Sequence, residues 1–316
     1  MKIAVDAMGG DHAPRVVVEG AFLASKELAQ DDTIVLIGVE DQVLPLVNAL
    51  GGMPPNIEFI HASEVIGMDE HPTKAVPQKK DSSIVKGFLL LATKGADVFC
   101  SAGNTGAMLV GSMFTIKPID GILRPGIAGF LPKESGRYNI LMDVGANTDC
   151  KPEVLEQFAE MASIFASDLH GIERPRIGLV NVGEEEQKGS ILIAATHQLL
   201  KANTKINFVG NIEGREIYSD KADVLICDGF VGNVLLKSAE AIYPLMKKRN
   251  FVDDFVQMFH WEAVGGSPIL GVNGNVVIGH GSSSGVAIKN MILLSEKIAK
   301  SEVSKKIKNA CSKTSL

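Results

Sequence analysis

The sequence predicts an α/β protein: a largely parallel sheet flanked by helices. Three observations predict it. Short apolar, β-branched runs alternate with longer segments of helical period. Several runs, such as Ile140-Leu141-Met142 and Val224-Leu225-Ile226-Cys227, are apolar without alternation, as strands covered on both faces are. Glycine is abundant, 32 of 316 residues, and tight strand–helix turns would use it.

In chain order the strand-like runs are 3–5, 33–38, 57–61, 97–100, 140–142, 177–181, 206–209, 224–227 and 276–278. The segments between them suit helices. From Pro152 to His170 the side chains of Val154, Leu155, Phe158, Met161, Ala162 and Phe165 fall on one stripe. Asp149 and Pro152 fit its start and Gly171 its end. Further helices are expected over 234–246 and 286–300, and the lysine-rich tail 300–316 as a helix that frays. No internal repeat or low-complexity tract interrupts the order. The expected organisation is one large α/β domain over 1–316. A stretch at 119–138, rich in Gly, Pro and charge, is a candidate hairpin excursion.

Composition excludes several functions. Apolar residues make up 46% and charged residues 22%, enough to bury a core and too ordinary for global disorder. The net charge is −6 and no lysine–arginine run stands out, so nucleic acid is not an expected partner. A locally positive site for a small anion stays compatible with that balance. Aromatics are only 5%, few for a base- or sugar-stacking surface. Cys100, Cys150, Cys227 and Cys311 form no C-x-x-C pair, and they read as small buried hydrophobes in a reducing cytoplasm. The seven histidines are scattered without an H-E-x-x-H, so no metal is expected. An acid follows the apolar Ile3-Ala4-Val5, unlike a secretory leader, and no stretch reaches the roughly 18 apolar residues of a membrane span.

One pattern recurs at strand ends. An apolar run stops, and Asp or Asn with Gly follows at once. It occurs at Asp6-Ala7-Met8-Gly9-Gly10-Asp11, Ser101-Ala102-Gly103-Asn104-Thr105-Gly106 and Asp143-Val144-Gly145-Ala146-Asn147. It returns at Asn181-Val182-Gly183-Glu184, Gly210-Asn211-Ile212-Glu213-Gly214, Asp228-Gly229-Phe230-Val231-Gly232-Asn233 and Gly279-His280-Gly281-Ser282-Ser283. In a parallel sheet these loops share the carboxyl edge, where ligands of open α/β folds bind. Glycine lets backbone N–H groups approach an anion, and helix N-termini favour it. Any one such loop is explained by turns and caps; seven together point to a site.

Stock motifs are missing: no G-x-G-x-x-G and no G-x-x-x-x-G-K-[ST]. Gly281-Ser282-Ser283-Ser284-Gly285 matches G-x-S-x-G, but no histidine follows it to complete a triad. A serine turn donating to an anion ahead of a helix is the better reading. Lys188, after Glu184-Glu185-Glu186-Gln187, could bind phosphate or an oxyanion, or be a solvated lysine. Asn233 could donate to a carbonyl oxygen or cap a helix.

These blocks together resemble the bacterial acyl-ACP:phosphate acyltransferases. The opening Val5-Asp6-Ala7-Met8-Gly9-Gly10-Asp11-His12-Ala13-Pro14 and the six later blocks match in order from residue 3 to about residue 290. The resemblance implies a three-layer α/β/α sandwich related to isocitrate and isopropylmalate dehydrogenases and to phosphotransacetylases. It implies transfer of a fatty acyl group from the thioester of acyl carrier protein to inorganic phosphate. The acyl phosphate then feeds glycerol-3-phosphate acylation in phospholipid synthesis. A homodimer without cofactor or metal is implied, cytoplasmic, with a weak peripheral contact at the inner membrane face or with a glycerol-3-phosphate acyltransferase. The family's lysine and asparagine fall on Lys188 and Asn233, the implied catalytic pair. Asp6, Gly9, Gly10, Asn104, Asn147, His280 and Ser282 are expected to line the substrate or phosphate site. Many relatives carry a long apolar-tipped helical hairpin after that asparagine. Here only 234–264 intervene, a short helical segment facing a dimer partner or membrane, with Lys247-Lys248-Arg249 and no evident apolar tip. Competing readings are a phosphotransacetylase acting on short acyl-CoA, a dehydrogenase on the related fold, and a non-catalytic scaffold for carrier protein. The dehydrogenase lacks a nucleotide fingerprint.

Overall fold

The structure is a computed structural model and describes residues 1–312. In chain order its elements are β1 (Lys2–Asp6), α1 (Arg15–Ser25), β2 (Thr33–Gly38), α2 (Glu40–Ala49), β3 (Ile57–His61), α3 (Pro72–Gln78) and α4 (Ser83–Ala92). Next come β4 (Val98–Ser101), α5 (Thr105–Gly111), β5 (Gly126–Pro132), β6 (Tyr138–Met142), α6 (Pro152–His170), β7 (Arg176–Asn181), α7 (Ile191–Ala202) and β8 (Asn207–Glu213). The chain ends with β9 (Val224–Ile226), α8 (Gly229–Glu240), α9 (Ile242–Lys248), α10 (Asp254–Gln257), β10 (Ser267–Leu270), β11 (Asn275–Ile278), α11 (Gly285–Ser301) and α12 (Val303–Ser312). The chain divides into two compact units: Met1–Pro118 with Trp261–Ser304, and Ile119–His260 with the stretch from Lys305 onward.

In the first unit the strands lie in the order β3-β2-β1-β4-β11-β10. All pairs are parallel except the β10–β11 hairpin. Ile3, Ala4, Val5, Val98, Phe99 and Cys100 are buried along the central strands, and Phe88 of α4 meets Phe99 edge-on at 5.0 Å. Helices α1 and α11 pack together closely: a Cβ at Gly20 of α1 would fall 2.5 Å from the Ile288 Cβ of α11.

In the second unit the order is β5-β6-β9-β7-β8, parallel throughout except for the β5–β6 hairpin. The stripe expected on residues 152–170 is buried in full: Val154, Leu155, Phe158, Met161, Ala162 and Phe165 all face the core. Each large side chain among them contributes about 1.5–3 kcal/mol by leaving water. Gly171 ends the helix in the left-handed region, as a C-cap glycine does.

The α/β class and the mostly parallel pairing agree with expectation, and all nine expected runs are strands. Two further strands were hidden by their own punctuation. Strand β5 carries Gly126, Gly129 and Pro132, inside the stretch read as an excursion; β10 carries Pro268. The helix expected over 234–246 starts earlier, at Gly229, because Asp228 caps it by accepting from the Val231 N–H at 2.8 Å. A break at Ala241 separates α8 from α9. Of the tail expected to fray, 303–312 form α12, and residues 313–316 lie outside the described residues.

The second sheet is pinned at the entry to β9. Asp223 is buried and takes a fork from Arg176, Nε to Oδ2 and Nη2 to Oδ1, both at 2.9 Å. The buried Lys133 ammonium donates to Oδ1 at 2.9 Å. Burial pushes the Asp223 carboxyl up, but the bonds from Arg176 and Lys133 outweigh it and hold the group well below the usual carboxylate range. A carboxyl held below its unfolded value adds stability that is present above about pH 4 and lost as pH falls further. Asp223→Asn leaves the buried Lys133 with Asp220, at 3.3 Å, as its remaining carboxylate and strips Arg176 of its fork, and is expected to cost about 2 kcal/mol at pH 7. Thermal melts should show the gap to the parent protein narrowing below about pH 4; a gap independent of pH would refute the ion-pair account.

Candidate active site

Because β1, β4 and β11 run parallel, the loops after them meet at one edge of the first unit. Asp6 ends β1 and is buried. The Ser101 hydroxyl donates to its Oδ2 at 2.7 Å and the Met8 N–H to its Oδ1 at 3.0 Å. Burial raises the Asp6 carboxyl pKa against those bonds. Gly9 lies so close that a Cβ there would sit 2.6 Å from Asp6 Oδ2 and from the Gly103 nitrogen, so no other residue fits. Gly10 and Asp11 run beside the last loop, where the Asp11 N–H donates to the Gly281 carbonyl at 2.8 Å. Asn104 is consumed by structure: its Oδ1 caps α5, and its Nδ2 donates to the carbonyls of Gly67, Met68 and Glu70.

In the β11–α11 loop, the Ser282 N–H (3.3 Å) and hydroxyl (2.9 Å) both face His280 Nδ1. A backbone donor makes Nδ1 the acceptor, so Nε2 carries the ring proton. The imidazole stacks on Trp261 with centroids 4.7 Å apart. Ser283 is buried and its hydroxyl donates to the His280 carbonyl at 2.6 Å. It holds a turn and faces no base, which removes the hydrolase-elbow reading.

The second unit builds its edge around Asp143, directly after β6. Oδ1 accepts from the N–H groups of Ile127, Gly145 and Ala146 at 3.0, 3.3 and 3.1 Å. Oδ2 accepts from the Asn147 N–H at 2.6 Å and the Asn147 amide at 3.0 Å. Asn147 also donates to the Pro125 carbonyl at 2.8 Å, and its own carbonyl receives the Gly229 N–H at 2.7 Å. The start of α8 therefore lies directly on this turn. A Cβ at Gly232 would fall 1.8 Å from the Asp143 carbonyl oxygen, so the helix can dock only with glycine there. One turn along, Asn233 donates Nδ2 to the Val144 carbonyl at 3.1 Å. It lies inside α8 and is not its cap; its second amide N–H and its Oδ1 have no partner among the described residues.

Lys188 stands on the exposed β7–α7 loop of the same edge. Three acids precede it, yet none takes its charge. Glu184 pairs with Lys221 at 3.0 Å and Glu186 with Lys201 at 2.5 Å. Among the described residues the Lys188 ammonium has no ion-pair partner. Strands β6, β9 and β7 are neighbours. At about 4.8 Å per strand spacing, the Asp143 turn and the Lys188 loop leave the sheet roughly 10 Å apart. The structure thus gathers Asn147 and Asn233 on Asp143, with Lys188 on a loop two strands away. It gathers Asp6, Gly9, Gly10, His280 and Ser282 in the first unit.

Sequence reasoning placed Asp143 and Asn211 in the strand-end blocks without giving either a role of its own, and passed over His197; all three shape these loops. Asp143 was readable from its place at a strand end; His197 sits mid-helix and gave no local signal. The cysteines offer no nucleophile. Burial pushes the Cys100 thiol up to about 12 and the Cys150 thiol to about 11, and burial also raises Cys227 well above its ordinary value. Among the described residues no group of three His, Cys, Asp or Glu side chains could hold a metal ion. No helix there is long and apolar enough to cross a membrane.

Among the described residues, glycine-bearing strand ends and an unpaired lysine stand without an activated side-chain nucleophile, a set compatible with group transfer to an anion. Comparisons with known proteins agree. A family described as "Fatty acid synthesis protein" matches residues 1–249. The phosphate acyltransferase of Dictyoglomus turgidum is 42% identical over 327 residues, covering 97% of this chain and 96% of that protein. The phosphate acyltransferase of Endomicrobium trichonymphae is 44% identical, covering 98% and 97%. A phosphotransacetylase from Streptococcus pyogenes shares the fold with a TM-score of 0.66 at 17% identity, covering 94% of each chain. The chain belongs to the phosphate acyltransferase family of fatty acid synthesis proteins. It is an enzyme, of the acyltransferase class.

Asp143→Asn keeps the shape but turns an NH₂ toward one set of backbone donors. It is expected to cost about 1–3 kcal/mol in a chemical denaturation midpoint. It should also lower turnover, because Asn233 reads its position from this turn. A variant with parent stability and parent turnover would show that the turn closes without the carboxylate.

Proposed function

We propose that the enzyme moves a fatty acyl group from the thioester of acyl carrier protein to inorganic phosphate. The observation that carries the reading is the unpaired ammonium of Lys188 at a sheet edge that offers no activated serine or thiol. Phosphate is its own nucleophile. Its oxygen adds to the thioester carbon, the carbonyl electrons move onto oxygen, and the C–S bond then breaks toward sulfur. The proton carried in by hydrogen phosphate ends on the carrier thiolate, so the reaction releases acyl phosphate and free thiol with no net proton.

The protein's task is to hold two reactants and to stabilise charge on the carbonyl oxygen. Lys188 supplies a mobile positive charge for phosphate or oxyanion. Asn233, anchored through Nδ2 to Val144, has a second N–H for the carbonyl oxygen. Asp143 and Asn147 hold that donor in place. In the first unit Asp6, Gly9, Gly10 and Asn104 shape loops lining substrate, and His280 Nε2–H with the Ser282 turn offers donors to an anion.

The same reading places the product ahead of glycerol-3-phosphate acylation, and the enzyme in the cytoplasm as a homodimer. Exposed Leu245, Phe251 and Val252 flank Lys247, Lys248 and Arg249, which supports a weak contact with the inner membrane face or with the glycerol-3-phosphate acyltransferase.

Incubation with palmitoyl-ACP, phosphate and hydroxylamine should yield hydroxamate only when phosphate is present. Thiol release without phosphate would indicate a thioesterase. Turnover of acetyl-CoA but not palmitoyl-ACP would establish the short-chain phosphotransacetylase reading instead. Lys188→Ala is expected to lower kcat about 10²- to 10³-fold with an unchanged melt, since its side chain is exposed; a parent rate would remove the lysine from the mechanism.

A further inference from the structure

We propose that His197, buried on α7, is a positioning residue that sets the Lys188 loop through Asn211. The inference rests on the role given to Lys188 above. Asn211 lies on β8 and its Nδ2 donates to the carbonyls of Glu185 at 2.9 Å and Glu184 at 3.4 Å. Those carbonyls fix the amide orientation, so Oδ1 faces His197 Nδ1 at 2.9 Å. The imidazole must then carry its proton on Nδ1 and donate. The Glu185 carbonyl held by Asn211 also accepts the Lys188 N–H at 3.1 Å. From the other strand, Asn181 Nδ2 donates to the Lys188 carbonyl at 3.1 Å. The loop is thus clamped from β7 and β8, and His197 fixes one jaw.

A β-bulge makes that jaw possible. Along β7–β8, Ile177 pairs with Phe208, Gly178 with Gly210 and Leu179 with Asn211, so Val209 is the extra residue. Three positions apart in a regular strand, Phe208 and Asn211 would face opposite sides. The bulge turns both to one face, where the Phe208 ring meets His197 edge-on at 5.0 Å. Gly210 sits at φ +100°, a conformation that favours glycine, and so permits the bulge. With His197 only 4% exposed, loss of its donor leaves Asn211 Oδ1 unpaired and the amide free to turn. Lys188 keeps its charge but loses its address.

The test uses the whole enzyme with palmitoyl-ACP and phosphate. His197→Leu is expected to lower kcat about tenfold with KM for phosphate within about twofold. His197→Asn, which keeps a donor near the Nδ1 position, should restore most of the rate. In a Lys188→Ala background His197→Leu should have no further effect. Exchange of the Lys188 amide hydrogen should quicken about tenfold in His197→Leu. Should that variant not fold, Asn211→Ser is read by the same measurements. An equal loss of kcat in both backgrounds, or unchanged protection of the Lys188 amide, overturns the proposal. If Lys188→Ala itself retains the parent rate, the lysine's assigned role fails, and amide exchange alone decides whether His197 holds the loop.

Discussion

The carboxylate of Asp143 gathers the N–H groups of Ile127, Gly145, Ala146 and Asn147 and the Asn147 amide, and the carboxyl edge of β6 in the second unit is built on that convergence. A strand end exposes backbone donors with no ladder partner, and leaving them unpaired would cost free energy at every one. One buried anion satisfies several at once. The folded turn then presents its outer surface to α8, which can approach only because Gly229 and Gly232 have no side chains. The Asn233 amide is set by that docking. A chain of packing constraints thus runs from one carboxylate to one amide.

Charge is apportioned differently around Lys188. A lysine following three glutamates would ordinarily be neutralised by them. Here Lys221 and Lys201 take two of the acids, and the loop backbone is held by Asn181 and Asn211. Each surface pair is worth little stability in itself. Their consequence is electrostatic: they leave the Lys188 ammonium as the uncommitted cation of the loop. Its exposure supports the role proposed for it, since it could meet a hydrated anion without first breaking a bond within the protein.

The sequence made the parallel framework legible because covered strands leave uninterrupted apolar runs, and Ile140-Leu141-Met142 can hardly be anything else. Strands β5 and β10 stayed hidden because Gly129 and Pro268 carry the marks of turns while taking part in antiparallel pairs. The candidate residues divide in the same way. Lys188 and Asn233 were singled out through their blocks. The commitment of Asn104 and Asn147 to loop-holding bonds was not legible, since an asparagine that caps and one that binds substrate look alike in one dimension. His197 was invisible for a different reason: its partner Asn211 faces it only after a bulge that no local pattern announces.

The choice of nucleophile explains where the structure concentrates its polar contacts. An enzyme that activates a serine or thiol must hold a base beside it and tune its proton affinity. Among the described residues neither is seen: burial pushes the Cys100, Cys150 and Cys227 thiols up, and Ser283 gives its hydroxyl to its own turn. Under the proposed reaction phosphate arrives already anionic, and the barrier that remains is one of placement and of charge on the acyl carbonyl oxygen. Polar side chains are then most useful behind the loops. Asp6, Asn104, Asp143, Asn147, Asn181 and Asn211 all lie there, each holding backbone in place. A site organised this way is sensitive to residues that touch no substrate, because an error of about 1 Å in a loop is an error in the reaction geometry itself.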